Sequence, residues 1–192
     1  LPRAVEEHAT SKISGIDDLD GGVGSLGFRG EALSTIGAVS RLTIRSRPSE
    51  AAAGAELTVE GGSVGDLQPA GCPAGTTVEV EDLFFNTPAR KKFLKRESTE
   101  FDHINTVVSQ YALANPEVAV SLSHNGRELF GTEGGGSLRS AVLAVYGREV
   151  AESMVEIEYT TDADAPVDSI SGLVSHPETT RSTRAYLATF VN

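Results

Sequence analysis

A lysine, two hydroxyl groups and a series of glycines lie close together between His8 and Leu33. Thr10, Ser11 and Lys12 fall in HATSKISG, and Gly21, Gly22, Gly24, Gly27 and Gly30 in GGVGSLGFRGEAL, with an acidic turn (Asp17, Asp18, Asp20) between them. Glycines just before a helix leave backbone N–H groups able to face an anion, and the helix dipole adds favourable charge. This stretch therefore reads as a phosphate-gripping lid of a nucleotide site.

A second concentration of chemistry is the run Arg90-Lys91-Lys92-Phe93-Leu94-Lys95-Arg96. It holds three of the chain's four lysines, in a protein of net charge −11. On one helix Lys91 or Lys92 would share a face with Lys95, and Phe93 and Leu94 would anchor that helix to a core. The same run also suits a solvated face completing surface ion pairs, and the residues alone leave both readings open.

Other chemistries are excluded. Gly22-Val23-Gly24-Ser25-Leu26-Gly27 matches G-x-G-x-x-G, but it follows the acidic turn IDDLDG and not a strand, as a dinucleotide fold requires. No G-x-x-x-x-G-K-[ST] occurs, Ser34 sits in no nucleophile elbow, and His8, His103, His124 and His176 have no metal-ligand spacing. The single Cys72 rules out an internal disulfide and a cysteine-rich metal site. Together with the lack of a leader or membrane-length apolar run, it points to a reducing, cytoplasmic setting and no membrane partner. An acidic chain so poor in lysine suits a salt-loving source. The charge is uneven: residues 1–96 carry 11 basic and 13 acidic groups, residues 97–192 carry 5 and 14.

The elements that must position these groups follow from periodicity. Phe28, Ala32, Leu33 and Ile36 predict a helix over 30–39, and alternation predicts strands over 40–47, 55–60 and 76–83, with 61–75 a loop. Thr87-Pro88 predicts an N-cap and a short helix carrying the basic run. Ser98 or Thr99 caps the next helix, whose buried stripe is expected at Phe101, Ile104, Val108 and Tyr111. Asn125-Gly126 marks a hairpin between 118–123 and 128–130. Gly134, Gly135 and Gly136 read as a linker, followed by a helix from Ser137 to Gly147 and strands over 153–159, 167–175 and 183–191. The fold class is α/β, an α+β sandwich in two units.

Three segments in this order, ATSKI, GFRGEAL and GTTVEVEDLFFNTPARKKFLK, resemble the N-terminal ATPase region of the MutL-type DNA mismatch-repair proteins. That region belongs to the superfamily of gyrase, chaperone and histidine-kinase ATPases. The resemblance covers essentially the whole chain, including LSHNG and the closing FVN. It implies the C-terminal part of such an ATPase domain over 1–133 and the start of a second, ribosomal-S5-domain-2-like α/β domain over 134–192.

By this resemblance Thr10, Ser11 and Lys12 belong to a lid over ATP. Gly27, Phe28, Arg29 and Gly30 supply backbone N–H groups to the β- and γ-phosphates, Glu31, Ala32 and Leu33 start the helix, and Thr76 lies near the nucleotide. Arg90, Lys91, Lys92 and Lys95 would meet DNA phosphates without regard to sequence. The implied cofactors are ATP and Mg²⁺. The implied partners are DNA, a second copy joined through the N-terminal region on ATP binding, and mismatch-recognition and strand-processing proteins. In the family, hydrolysis resets an ATP-driven dimer that coordinates repair.

The family's general-base glutamate, its magnesium-binding asparagine and its adenine-recognising aspartate would precede Leu1, and a γ-phosphate lysine would follow Asn192. The chain is therefore expected to be a fragment with lid and phosphate loop, without a catalytic or metal-binding residue, and by itself neither to hydrolyse ATP nor to bind it tightly. Two alternatives stand beside this: another ATPase of the superfamily, which should lack NTPARKKFLK, and a non-catalytic scaffold binding DNA or a partner.

Overall fold

Leu42, Ile44, Leu57 and Val59 alternate with polar and charged residues, and this period of two builds the centre of the first unit. The computed structural model describes residues 1–13, 27, 29–160, 169–180 and 184–191. Its residues pack as two units, Leu1–Leu94 and Lys95–Asn192. In the first, β1 (Arg41–Arg47) pairs antiparallel with β2 (Gly54–Glu60). Two short strands, β3 (Ser63–Val64) and β4 (Gln68–Ala70), pair with the other edge of β2. β5 (Gly75–Glu81) pairs with the free edge of β1. The expected loop over 61–75 thus contains two strands, because Gly61 and Gly62, both at positive φ, turn the chain straight back along β2.

One face of this sheet is apolar. Leu42, Ile44, Leu57 and Val59 are buried with Val5, which a 3₁₀ turn at Pro2–Val5 brings onto them. Leu33 and Ile36 of α1 (Ala32–Gly37) pack against the same cluster. Gly37 lets α1 approach closely, since a Cβ there would sit 2.9 Å from Val59 Cγ1. The opposite face carries charge. Arg41 Nε meets Glu60 at 3.0 Å and Arg45 Nη1 meets Glu79 at 2.7 Å, while the same two guanidiniums also bridge to Asp82 and Glu56. Cross-strand pairs of this kind add modest stability and favour one register.

α2 (Pro88–Lys91) ends at once, with Lys92 as its C-cap, so the basic run is not one helix. Thr87 makes no side-chain cap bond, in contrast to expectation. Phe93 is 84% exposed and Leu94 41%, so neither anchors the run to a core in this structure. In the second unit α3 spans Glu97–Ala114. The cap expected at Ser98 or Thr99 is not made: Arg96 is the N-cap, with no side-chain cap bond, and Glu100 Oε1 accepts the Lys95 N–H just ahead of the helix at 2.8 Å. The buried positions are Ser109, Ala112 and Leu113, while Ile104 and Tyr111 stay half exposed. Leu113 packs with Ala141 and Val142 of α4 (Leu138–Tyr146), so burial follows that partner and not the larger apolar residues upstream.

Asn125 and Gly126, both at positive φ, join β6 (Ser121–His124) to β7 (Arg127–Gly131) as the sequence predicts. Ser137 Oγ accepts the Ser140 N–H at 3.2 Å to cap α4, and Gly147 ends it. A further short helix, α5 (Arg148–Glu152), leads to β8 (Met154–Thr160) and β9 (Ser169–Ser175), an antiparallel pair. The glycines at 134–136 are not a linker between packing units. Gly134 turns so tightly that a Cβ would lie 2.6 Å from the Ala119 nitrogen, and Leu113 shares a core with Ala141 across the run. The expected strand over 183–191 is replaced by a 3₁₀ turn at Arg184–Tyr186 and irregular chain at 187–191, since no described strand edge pairs with it; residue 183 lies outside the described residues, as do 167 and 168. Among the described residues no helix is long and apolar enough to cross a membrane.

The hairpin tip is pinned to the start of α3. Phe101 stacks on His124 at 3.9 Å, and Glu97 Oε1 is 2.9 Å from His124 Nε2 and 3.1 Å from Asn125 Nδ2. The Asn125 amide, then His124, lower the Glu97 pKa from its usual 4.5. A carboxyl lowered on folding stabilises fully above its unfolded value and loses that contribution as pH falls through the folded one. Thermal melting should therefore show the second unit weakening below pH 4.5, with Glu97→Gln flattening that dependence. In the first unit Leu57→Ala, at a position 1% exposed, should cost about 2–5 kcal/mol in denaturant unfolding.

Candidate functional site

Gly30 brings two separate chain segments together. Its φ is +66°, and a Cβ on it would lie 2.7 Å from the Ala9 carbonyl carbon, 2.8 Å from the Ala9 nitrogen and against the Ala9 oxygen. Only glycine fits there. The segment carrying Thr10, Ser11 and Lys12 is thereby laid against the one carrying Gly27, Arg29 and Gly30. His8, itself at φ +63°, reaches across with Nδ1 3.3 Å from Glu31 Oε1. The Lys12 N–H donates to Thr10 Oγ1 at 3.2 Å, and its ammonium lies 3.8 Å from where a Gly27 Cβ would be.

Between these segments is a cleft of about 810 Å³, within the range of small-molecule sites. Thr10, Ser11, Lys12, Gly27, Arg29, Gly30, Glu31, Ala32 and Leu33 all line it. Phe28 lies outside the described residues, as do the acidic turn and Gly21, Gly22 and Gly24. Thr76 is not among the lining residues. It stands on β5, with its hydroxyl 2.8 Å from that of Ser46. Sequence reasoning missed Arg3, which also lines the cleft and lies in an opening segment too short to assign, and His8, whose only signal was its place beside ATSK.

The cleft's described lining carries three cations, Arg3, Lys12 and Arg29, to one carboxylate, Glu31. In a chain of net charge −11, that local reversal of sign favours an anion. α1 has six residues, with Glu31 at its N-cap and no side-chain cap bond. Among the described residues no group of three or more His, Cys, Asp or Glu could hold a metal ion.

The basic residues divide between the units. Arg90 and Lys91 are on α2 and Lys92 caps it, whereas Lys95 lies in the second unit. All four are exposed. They form no single helical face.

No family model matches the chain. Its whole length is 59% identical over 196 residues to the DNA mismatch repair protein MutL of Halobacterium salinarum, of which it covers 29%. A MutL of Desulforudis audaxviator is 47% identical over 189 residues, 98% of this chain and 33% of that protein. The Aquifex aeolicus MutL ATPase domain complexed with ADP superposes with a TM-score of 0.62 at 36% identity, over 77% of this chain and 56% of that one. The chain belongs to the MutL family of DNA mismatch-repair proteins. It spans a third or less of the length of these curated MutL relatives, and the stretch it matches lies in the MutL ATPase region. The acidic, lysine-poor composition fits the halophilic MutL relative.

Gly30→Ala should lower the stability of the first unit by about 1–3 kcal/mol through the forced left-handed backbone alone, more if Ala9 cannot shift. Denaturant unfolding of the variant beside Gly71→Ala, where a Cβ meets nothing within 4 Å, measures the difference.

Proposed function

We propose that the cleft receives the phosphates of ATP, and that the chain acts as part of a mismatch-repair ATPase whose ATP-driven dimerisation coordinates repair on DNA. The observation that carries this reading is the gathering of Lys12, Arg29, Arg3 and the Gly30 turn around one cleft in an otherwise acidic protein. The ADP bound to the Aquifex aeolicus MutL ATPase domain supports it.

Lys12 and Arg29 would neutralise phosphate oxygens, and the backbone around Gly30, free of side-chain bulk, would let the anion approach main-chain donors. Thr10 and Ser11 would add hydroxyl donors. Holding the phosphates in place and balancing their charge is most of what phosphoryl transfer asks of a protein. Mg²⁺ would shield phosphate charge, but the described residues offer it no ligand set, Glu31 being the one carboxylate in the lining.

Arg90, Lys91 and Lys92 of the first unit and Lys95 of the second would contact DNA phosphates, giving binding that ignores sequence and weakens with salt. DNA binding indifferent to ATP would instead favour the scaffold reading.

The direct test is Mg²⁺-ATP hydrolysis by the full-length protein beside Gly30→Pro. Turnover that the variant loses supports the reading. A well-folded protein that neither binds nor turns over nucleotide overturns it. For the basic segment, Lys91→Ala and Lys92→Ala should each reduce the slope of log affinity against log salt by about 0.9, measured on duplexes of unrelated sequence.

A further inference from the structure

We propose that His8 is a positioning residue for the phosphate cleft, one that engages the Glu31 carboxylate and so keeps its charge from opposing a bound anion. The inference rests on the phosphate-binding reading above. Glu31 is the only carboxylate among the described lining residues, and it stands at the head of α1, between Gly30 and Ala32, where phosphates would be held. A negative charge there works against the three cations that favour the anion. Glu31 makes no side-chain bond to the amides of the helix it precedes. The carboxylate is turned to His8, with Oε1 3.3 Å from Nδ1.

His8 does not itself line the cleft. It acts from behind, through Glu31. The backbone geometry supports the same role. His8 holds φ at +63°, a conformation histidine adopts uncommonly, and this places the next residue, Ala9, against Gly30. Backbone and side chain of the His8-Ala9 pair thus meet the Gly30-Glu31 pair at two adjacent points, one by close packing and one by the approach of the imidazole to the carboxylate. The main-chain contact fixes where the glycine turn sits, and the side-chain contact sets what charge a ligand meets there.

A purely structural clip and a charge-positioning role make opposite predictions when both partners are removed. Binding of Mg²⁺-ADP to the full-length protein is measured by calorimetry for wild type, His8→Ala, Glu31→Gln and the double variant, with thermal melts of each as a folding control. Freeing the carboxylate in His8→Ala should weaken ADP binding roughly 3- to 10-fold, the scale of one exposed charge beside a charged ligand. The loss should shrink as salt is raised. Adding Glu31→Gln should return affinity to within about twofold of wild type, because the opposing charge is then gone, and Glu31→Gln alone should bind at least as tightly as wild type.

Unchanged affinity in His8→Ala overturns the proposal, as does a double variant that remains as weak as His8→Ala. Failure of the wild type to bind ADP at all would instead overturn the nucleotide reading. The two failures are therefore separate.

Discussion

The close approach of the Ala9 backbone to Gly30 is the contact on which the site depends. It joins a segment from the start of the chain to the turn that opens α1, and it does so without side chains. A Cβ on Gly30 would meet main chain, which has no rotamer through which to give way. The lining on either side of this junction is held by it, Ala32 and Leu33 by α1, and Arg3 and Ala4 by the 3₁₀ turn at Pro2–Val5; α1 is itself seated on the sheet through Leu33, Ile36 and the close fit of Gly37 to Val59. The apolar face of β1 and β2 thus carries the cleft at one remove.

Charge is arranged in opposition to the composition. The protein is strongly acidic, yet cations dominate the described lining of the cleft and follow one another through α2. Elsewhere in the first unit Arg41 and Arg45 are engaged by carboxylates. Arg41 is held firmly protonated by Glu60 and then Asp82, and Arg45 by Glu79 and then Glu56. The outer face of the sheet therefore neutralises its own cations. An acidic surface with a few cationic concavities keeps a protein soluble while concentrating anions at one place.

Much of this was legible in the sequence. β1, β2 and β5 follow from a plain alternation, and the β6–β7 hairpin from Asn125-Gly126, because each signal is local. For the cleft, the glycines and the lysine of ATSK and GFRGEAL gave a local signal for an anion, whereas the residue-by-residue assignment came from the family resemblance; nine of the residues so assigned line the cleft. What escaped depends on partners distant in sequence. α2 ends at Lys91 and the Lys95 N–H turns to Glu100 of the next helix, a break that the run of cations does not signal. Ser109, Ala112 and Leu113 are buried and not Ile104 and Tyr111, because α4 meets the later turns of α3. The 3₁₀ turn that brings Arg3 and Val5 into place has no periodicity to read. Apolar alternation in 183–191 promised a strand, but a strand needs an edge to pair with.

The central claim is that nucleotide phosphates sit between the Ala9–Lys12 segment and the Gly27–Leu33 turn. Amide hydrogen exchange on the full-length protein, with and without saturating Mg²⁺-ADP, tests it most directly. The account predicts slowed exchange at residues 9–12 and 29–33 and little change at the Asn125-Gly126 turn. Saturated binding that leaves 9–12 and 29–33 exchanging at their free rates, with protection elsewhere, would contradict it.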